Sequence, residues 1–198
     1  MSQASSSADK RIAVFEKFAH PVTADILGRD PSITIDMLQL SDSDAENWQA
    51  LSAAHGYQIR AARDELPDQF FANGEFMARC PNMLVVSSMG AGFDTVDLDA
   101  CTAAGVIAVN QAGGNAEAVA EHALGMMLGL SKRVGEADQF MRARDGIERN
   151  AYIGNNIQGK TLGIIGLGHI GSRMAELCGT LFGMRILAYD PYLEDSDF

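Results

Sequence analysis

Two early segments alternate apolar with polar residues at the two-residue period of a strand: 11–18 (RIAVFEKF) and 32–40 (SITIDMLQL). Between 41 and 46 the chain is acidic, with Ser and Asp placed to cap a helix near Trp48–Ala54. A strand over 57–63 and a helix over 67–79, which carries Phe70, Phe71 and Met77, follow. The short apolar run 82–87 (NMLVVS) has the character of a buried parallel strand and empties into the loop 89–93 (MGAGF). A helix over 96–104, stopped by Gly105, and a strand over 106–109 complete this stretch. Strands alternating with helices predict an α/β domain with a mainly parallel sheet.

After 111–115 (QAGGN) the period changes. Val119, Ala123, Met126, Leu130 and Val134 step by three or four residues, which predicts one long helix with a single apolar face. A glycine- and asparagine-containing connection over 154–159 leads to a strand at 161–165, a helix over 172–182 and a strand at 185–189.

Composition narrows the function. The chain has 198 residues, 47% hydrophobic and 21% charged, enough for one globular domain or one and part of another. A net charge of −11 disfavours nucleic acid and anionic membrane surfaces as partners. It does not exclude a small anion held by backbone N–H groups at a helix N-terminus. Cys80, Cys101 and Cys178 are widely spaced and form no CxxC pair, which favours free thiols over metal ligands. Residues 1–10 read as a polar, frayed tail without a signal-peptide core, and no apolar run nears the roughly 18 residues of a membrane span. A cytoplasmic location is expected.

The chemistry concentrates in residues 161–190 (TLGIIGLGHIGSRMAELCGTLFGMRILAYD). Gly166, Gly168 and Gly171 form a GxGxxG between a strand and a helix, and Asp190 closes the next strand 19 residues after Gly171. In a dinucleotide-binding βαβ unit the first glycine makes the turn and the second lets the diphosphate approach. The third lets helix and strand pack, and the acid accepts from a ribose 2′-OH. A glycine-rich turn of some other α/β fold is the competing reading, and the order of all five parts weighs against it. A carboxylate at Asp190, followed by Pro191 and Tyr192 with no arginine, favours NAD over NADP.

Other matches carry less. Residues 154–161 (GNNIQGKT) formally fit a P-loop, yet they precede a strand rather than open a helix. The acidic run from Asp42 lacks the glycine of a calcium loop, and Ser87 and Ser88 lack a nucleophile elbow. Glu121 and His122, adjacent on a helix, point about 100° apart and read as structural.

Three segments, 87–101 (SSMGAGFDTVDLDAC), 110–128 (NQAGGNAEAVAEHALGMML) and 159–171 (GKTLGIIGLGHIG), resemble the D-isomer-specific 2-hydroxyacid dehydrogenases, the family of phosphoglycerate, glycerate and formate dehydrogenases. The resemblance spans about 57–193, and the first 50 residues share only the general pattern. It implies a flavodoxin-like substrate domain over 1–110, followed from 111 to 198 by the start of a Rossmann NAD-binding domain that includes the long helix and ends after its second strand. It further implies that Met89, Gly90, Ala91 and Gly92 present backbone N–H groups to a substrate carboxylate, with Ala91 near the nicotinamide. Asn115 would lie at the domain crossing and Val119 beside the nicotinamide. Gly166, Gly168, His169, Ile170 and Gly171 would meet the diphosphate, and Asp190 and Pro191 the ribose. Arg60 or Arg63 is a candidate for a substrate anion, against the reading of a solvated arginine.

The activity implied is reversible hydride transfer between NAD(H) and a small D-2-hydroxy acid, with homodimers built through the nucleotide domain and its long helix. The family's catalytic arginine, carboxylate and histidine fall later than Phe198, so the chain is expected to be an incomplete, inactive portion with no catalytic residue of its own. A non-catalytic NAD-binding scaffold and an inert truncated product are the alternatives. Two strands written as buried also need partners for Leu162, Ile164, Ile186 and Leu187, which predicts marginal stability over the last 40 or so residues.

Overall fold

The strand and helix alternation is realised as two parallel sheets in a computed structural model that describes residues 9–143, 146 and 148–194. Contacts divide the chain into a first unit running to Gly114 and a second beginning at Asn115.

The first unit is built on five parallel strands: β1 (Lys10–Phe15), β2 (Ile33–Leu38), β3 (Gly56–Ile59), β4 (Val85–Ser88) and β5 (Ile107–Val109), in the order β2-β1-β3-β4-β5. That is the strand order of a flavodoxin-like fold, the architecture that the family resemblance implies for 1–110. The helices α1 (Val22–Leu27), α2 (Asp44–Ala53), α3 (Gly74–Arg79) and α4 (Leu98–Ala104) connect the strands. One face of the sheet buries Ala13, Phe15, Tyr57, Ile59 and Val86 with Trp48, Leu51, Phe70 and Phe76 from the connections. Phe15 and Phe70 lie 4.8 Å apart and Tyr57 stacks on Phe76 at 5.2 Å. Each such pair contributes about 0.5–1.5 kcal/mol beyond burial.

Caps mark where these helices begin. The Ser43 side chain accepts from the Glu46 N–H while Glu46 accepts from the Ser43 N–H, so α2 starts earlier than its apolar residues suggest. Gly105 ends α4 in the left-handed conformation, at φ 70°. The expected helix over 67–79 is broken. A single 3-10 turn at Asp68–Phe70 gives way to extended chain, where the Ala72 N–H donates to Thr95 O and Ala72 O accepts from the Asp97 N–H. Asn73 then caps α3 through the Phe76 N–H. Burial of Phe70, Phe71 and Ala72 against the core overrides helical continuity there. The short helix α1 carries no buried residue and leaves no apolar period to detect.

In the second unit, the long helix expected to run through Val134 is two helices, α5 (Ala116–Ser131) and α6 (Val134–Ala143). The chain turns at Arg133, a non-glycine residue at φ 56°. Its side chain is held by Glu136, by the Ala151 carbonyl and over the Tyr152 ring. The stripe Val119–Met126–Leu130–Val134 is exposed, Leu130 by 80%. The face that packs is the neighbouring one, with Ala120 buried and Leu124, Met127 and Leu128 against Ile157, Cys178 and Met184.

The strands β6 (Thr161–Ile165) and β7 (Arg185–Tyr189) pair in parallel across α7 (His169–Phe182), which begins three residues earlier than its apolar period. Neither strand is buried on both sides. Leu162 and Ile186 pack on the helices, while Ile165, Leu187 and Tyr189 are exposed. The P-loop-like glycines have other duties. A Cβ at Gly154 would lie 2.6 Å from Lys132 Cα at the end of α5, and Gly159 turns into β6 at φ 69°.

Candidate dinucleotide-binding site

The sharp exit from β6 is made by Gly166, at φ 92°, a region closed to side chains of ordinary residues. Its N–H donates to Tyr189 O at 2.8 Å, carrying the β6–β7 pairing into the turn. Gly168 then sits at the N-cap of α7, with open space where a Cβ would project. Gly171 has none, because a Cβ there would overlap the carbonyl oxygen of Gly166 and press on Ile164. Close packing of helix on turn therefore requires the third glycine, and the open volume over the second leaves the helix N-terminus approachable.

Asp190 stands at the end of β7 and reaches back to the same turn. Its Oδ2 accepts from the Leu167 N–H at 2.8 Å and its Oδ1 from the Tyr192 N–H at 2.9 Å. Ser172 donates from its hydroxyl to Leu167 O at 2.7 Å, a second brace. An open depression of about 510 Å³ in front of the helix is lined by Leu167, Gly168, His169, Ser172, Arg173 and Glu176. Free N–H groups at a helix start, positive dipole and a vacant glycine position fit the diphosphate of a dinucleotide.

Arg173 had no place in the sequence reading. It forms a two-pronged ion pair with Glu117 of α5, at 2.7 and 2.8 Å, and a third bond to Glu176. The guanidinium holds the Glu117 carboxyl below the usual carboxylate range. A pair between the first turn of one helix and the second turn of another, 56 residues apart in the chain, leaves no sequence signal.

In the first unit, Met89, Gly90, Ala91 and Gly92 follow β4 at the carboxyl end of the sheet. The Met89 N–H is committed to Ile59 O at 2.9 Å, and the Gly90 N–H is directed at Ser88 Oγ at 3.4 Å. The N–H groups of Ala91 and Gly92 are the loop's uncommitted donors among the described residues. Ser88 donates to Gly92 O, Asn110 Nδ2 donates to Ala91 O at 2.8 Å, and the Gln111 N–H donates to Gly90 O. Ser88 and Asn110 are thus braces of the loop that the sequence reading did not assign. Gly90 lies against Ala61, whose methyl would stand 3.2 Å from an added Cβ. Arg60 is held by its backbone, Thr95 Oγ1 donating to its carbonyl, and Arg63 lies over the Phe71 ring at 5.8 Å.

Asn115 precedes α5 and accepts through its carbonyl from the Val119 N–H; both residues are exposed. Glu121 and His122 line an open face of α5 with Ala118, Gly125 and Met126. Among the described residues no group of three His, Cys, Asp or Glu is placed to hold a metal, and no helix is long and apolar enough to cross a membrane. The three cysteines are buried, and burial pushes each thiol pKa up, that of Cys80 to about 11.

Comparison with known proteins agrees with this geometry. Residues 124–198 match the family described as D-isomer specific 2-hydroxyacid dehydrogenase, NAD binding domain. D-3-phosphoglycerate dehydrogenase of Mycobacterium leprae is 41% identical over 121 residues, 61% of this chain and 22% of its own. The Bacillus subtilis protein of the same name is 31% identical over 185 residues, 93% of this chain and 33% of its own. Among solved structures, D-lactate dehydrogenase from Aquifex aeolicus, complexed with NAD and lactic acid, is 25% identical, with a TM-score of 0.69 over 93% of this chain and 53% of its own. The chain spans between about a fifth and a third of the two phosphoglycerate dehydrogenases. The glycine turn and Asp190 lie within the stretch that matches the family's NAD-binding domain, and the chain is similar to D-isomer specific 2-hydroxyacid dehydrogenases over a part of their length.

Proposed function

We propose that the whole protein is an NAD-dependent oxidoreductase that interconverts a D-2-hydroxy acid and its 2-keto acid. The observation that carries this reading is the turn in which Gly166 and Gly171 are both sterically required and Asp190 is bonded to the Leu167 N–H. Gly166, Gly168, His169, Ile170 and Gly171 hold the diphosphate, and Asp190 with Pro191 the adenine ribose. A carboxylate there attracts 2′-OH and repels a 2′-phosphate. Bound NAD would accept or supply the hydride.

The Ala91 and Gly92 N–H groups, in the loop with Met89 and Gly90, receive the substrate carboxylate. Ala91, Asn115 and Val119 border the nicotinamide, and Arg60 meets a second anionic group of the substrate. These residues bind and orient the reactants, and none of them is assigned the proton transfer. Exposed Met126 and Leu130 on α5 suit a homodimer contact in the whole protein, and a cytoplasmic location accompanies the reading.

Titrating NADH into the chain, with its fluorescence as readout, tests the cofactor half. Binding of NADH in preference to NADPH is expected, and equal affinity for the two would sink the role of Asp190. For the whole protein, NADH oxidation is followed against a panel of 2-keto acids, and NAD reduction with D-3-phosphoglycerate first, because the sequence relatives carry that name. No turnover with any of them would overturn the enzymatic reading.

A further inference from the structure

Among the described residues Arg173 is the one arginine or lysine lining the depression in front of α7. Its guanidinium carries five N–H donors in a rigid plane. Three are committed: Nε to Glu117 Oε2, one Nη2 hydrogen to Glu117 Oε1 and one Nη1 hydrogen to Glu176 Oε2. One hydrogen on each terminal nitrogen remains. The side chain is 32% exposed, so these hydrogens are not sealed from a ligand.

The charge balance around the turn gives those two donors a use. Glu117, Glu176 and Asp190 place three carboxylates near the glycine turn against one guanidinium. The chain as a whole carries −11. A dinucleotide's diphosphate entering this field meets repulsion that the helix N-terminus alone opposes with about half a unit of charge. A full positive charge already fixed at the same depression changes that balance. It is also preorganised, since two carboxylates have taken up the rotamer freedom that an arginine otherwise loses on binding an anion. As a structural cross-link alone the pair has little to offer, because exposed ion pairs contribute little to stability.

We propose that Arg173 is the cationic side-chain contact of the dinucleotide's diphosphate, donating its two remaining N–H groups to phosphate oxygens, and that Glu117 is a positioning residue that aims it there. The inference rests on the NAD reading above and adds a charge to a site otherwise made of backbone.

Inorganic pyrophosphate, ADP-ribose and NAD are titrated by calorimetry into the chain and its R173Q, R173K and E117Q variants, each checked for an unchanged melting temperature. R173Q is expected to weaken pyrophosphate and ADP-ribose by roughly 10-fold or more, the loss of a charge-assisted pair of bonds. R173K recovers part of it, because an ammonium keeps the charge without the fork. E117Q weakens binding less, and in the unmodified chain the Arg173 Nε–Hε NMR signal shifts on adding ADP-ribose.

Unchanged affinity in a folded R173Q overturns the role of Arg173, and tighter binding in E117Q overturns that of Glu117 by showing that it competes with phosphate. If R173Q does not fold, an Arg173 signal indifferent to ADP-ribose overturns the proposal in the unmodified chain. NAD bound equally by the chain and R173Q removes this inference and leaves the NAD reading standing. Pyrophosphate bound through Arg173 without NAD removes the NAD reading and leaves an anion subsite, and binding of neither removes both.

Discussion

The Asp190 carboxylate and the Leu167 N–H meet at 2.8 Å, so the residue that ends β7 also anchors the glycine turn that ends β6. Asp190 therefore shapes the glycine turn as well as the end of its own strand. Replacing it by alanine strands the Leu167 N–H and removes a charged acceptor, which costs about 1.5–3 kcal/mol. D190A is expected to lose NAD affinity by one to two orders of magnitude at that cost, and D190N to lose less because it keeps one oxygen. Calorimetric titration of both variants checks this, and D190A binding NAD like the unmodified chain would refute it.

A stricter demand falls on Gly171. Because an added methyl overlaps the Gly166 carbonyl, the helix must lift from the turn. G171A is expected to destabilise the second unit by about 3 kcal/mol, the upper range for overpacking. G168A, whose methyl meets open space, is expected to leave stability nearly unchanged while obstructing a diphosphate. Urea unfolding of the pair, with hydrogen exchange over 161–189 as the local readout, separates the two kinds of glycine.

The bend between α5 and α6 makes opposite demands on backbone and side chain. Arg133 adopts φ 56°, which costs an ordinary residue roughly 1–2 kcal/mol, and its guanidinium ties Glu136 and the Ala151 carbonyl. R133A keeps the strain and loses the ties; R133G loses both. R133G is expected to be more stable than R133A by about 1 kcal/mol. Equal denaturation midpoints would show that the left-handed conformation is not retained.

Alkaline pH should act on the first unit through groups that resist ionisation. Burial raises the Cys80 thiol from 9.0 to about 11 and holds the Tyr57 hydroxyl well above its usual value. The native state then retains protons that the unfolded chain releases, so stability present below pH 9 is lost as pH rises through 11. The melting temperature is expected to fall across that window, and less steeply in C80A than in the unmodified chain. Iodoacetamide at pH 8 should leave Cys80 unmodified until the protein unfolds.

Much of this arrangement was legible because it depends on neighbours in the chain. The turn Gly166–Gly171, Asp190 and the parallel α/β sheet follow from a short motif and from strands alternating with helices. The break at Phe71–Asn73 was not, because burial of that stretch and its bridge to Val96 are decided by residues 23 or more positions away. Periodicity found a helix at α5 with one apolar stripe, but two such stripes run side by side and only tertiary contact shows which one packs within the unit. The ties Arg173–Glu117 and Asn110–Ala91 join side chain to distant partner and leave no local pattern at all.

All the strand pairings of the named sheets are parallel, and none joins neighbours through a tight turn. A parallel pair needs a crossover of a dozen or more residues before its first ladder bond can form. Hairpin zippering is therefore closed to this sequence as a way to begin folding. In the second unit that crossover carries the glycine turn and α7, so the β6–β7 ladder cannot close without bringing both along.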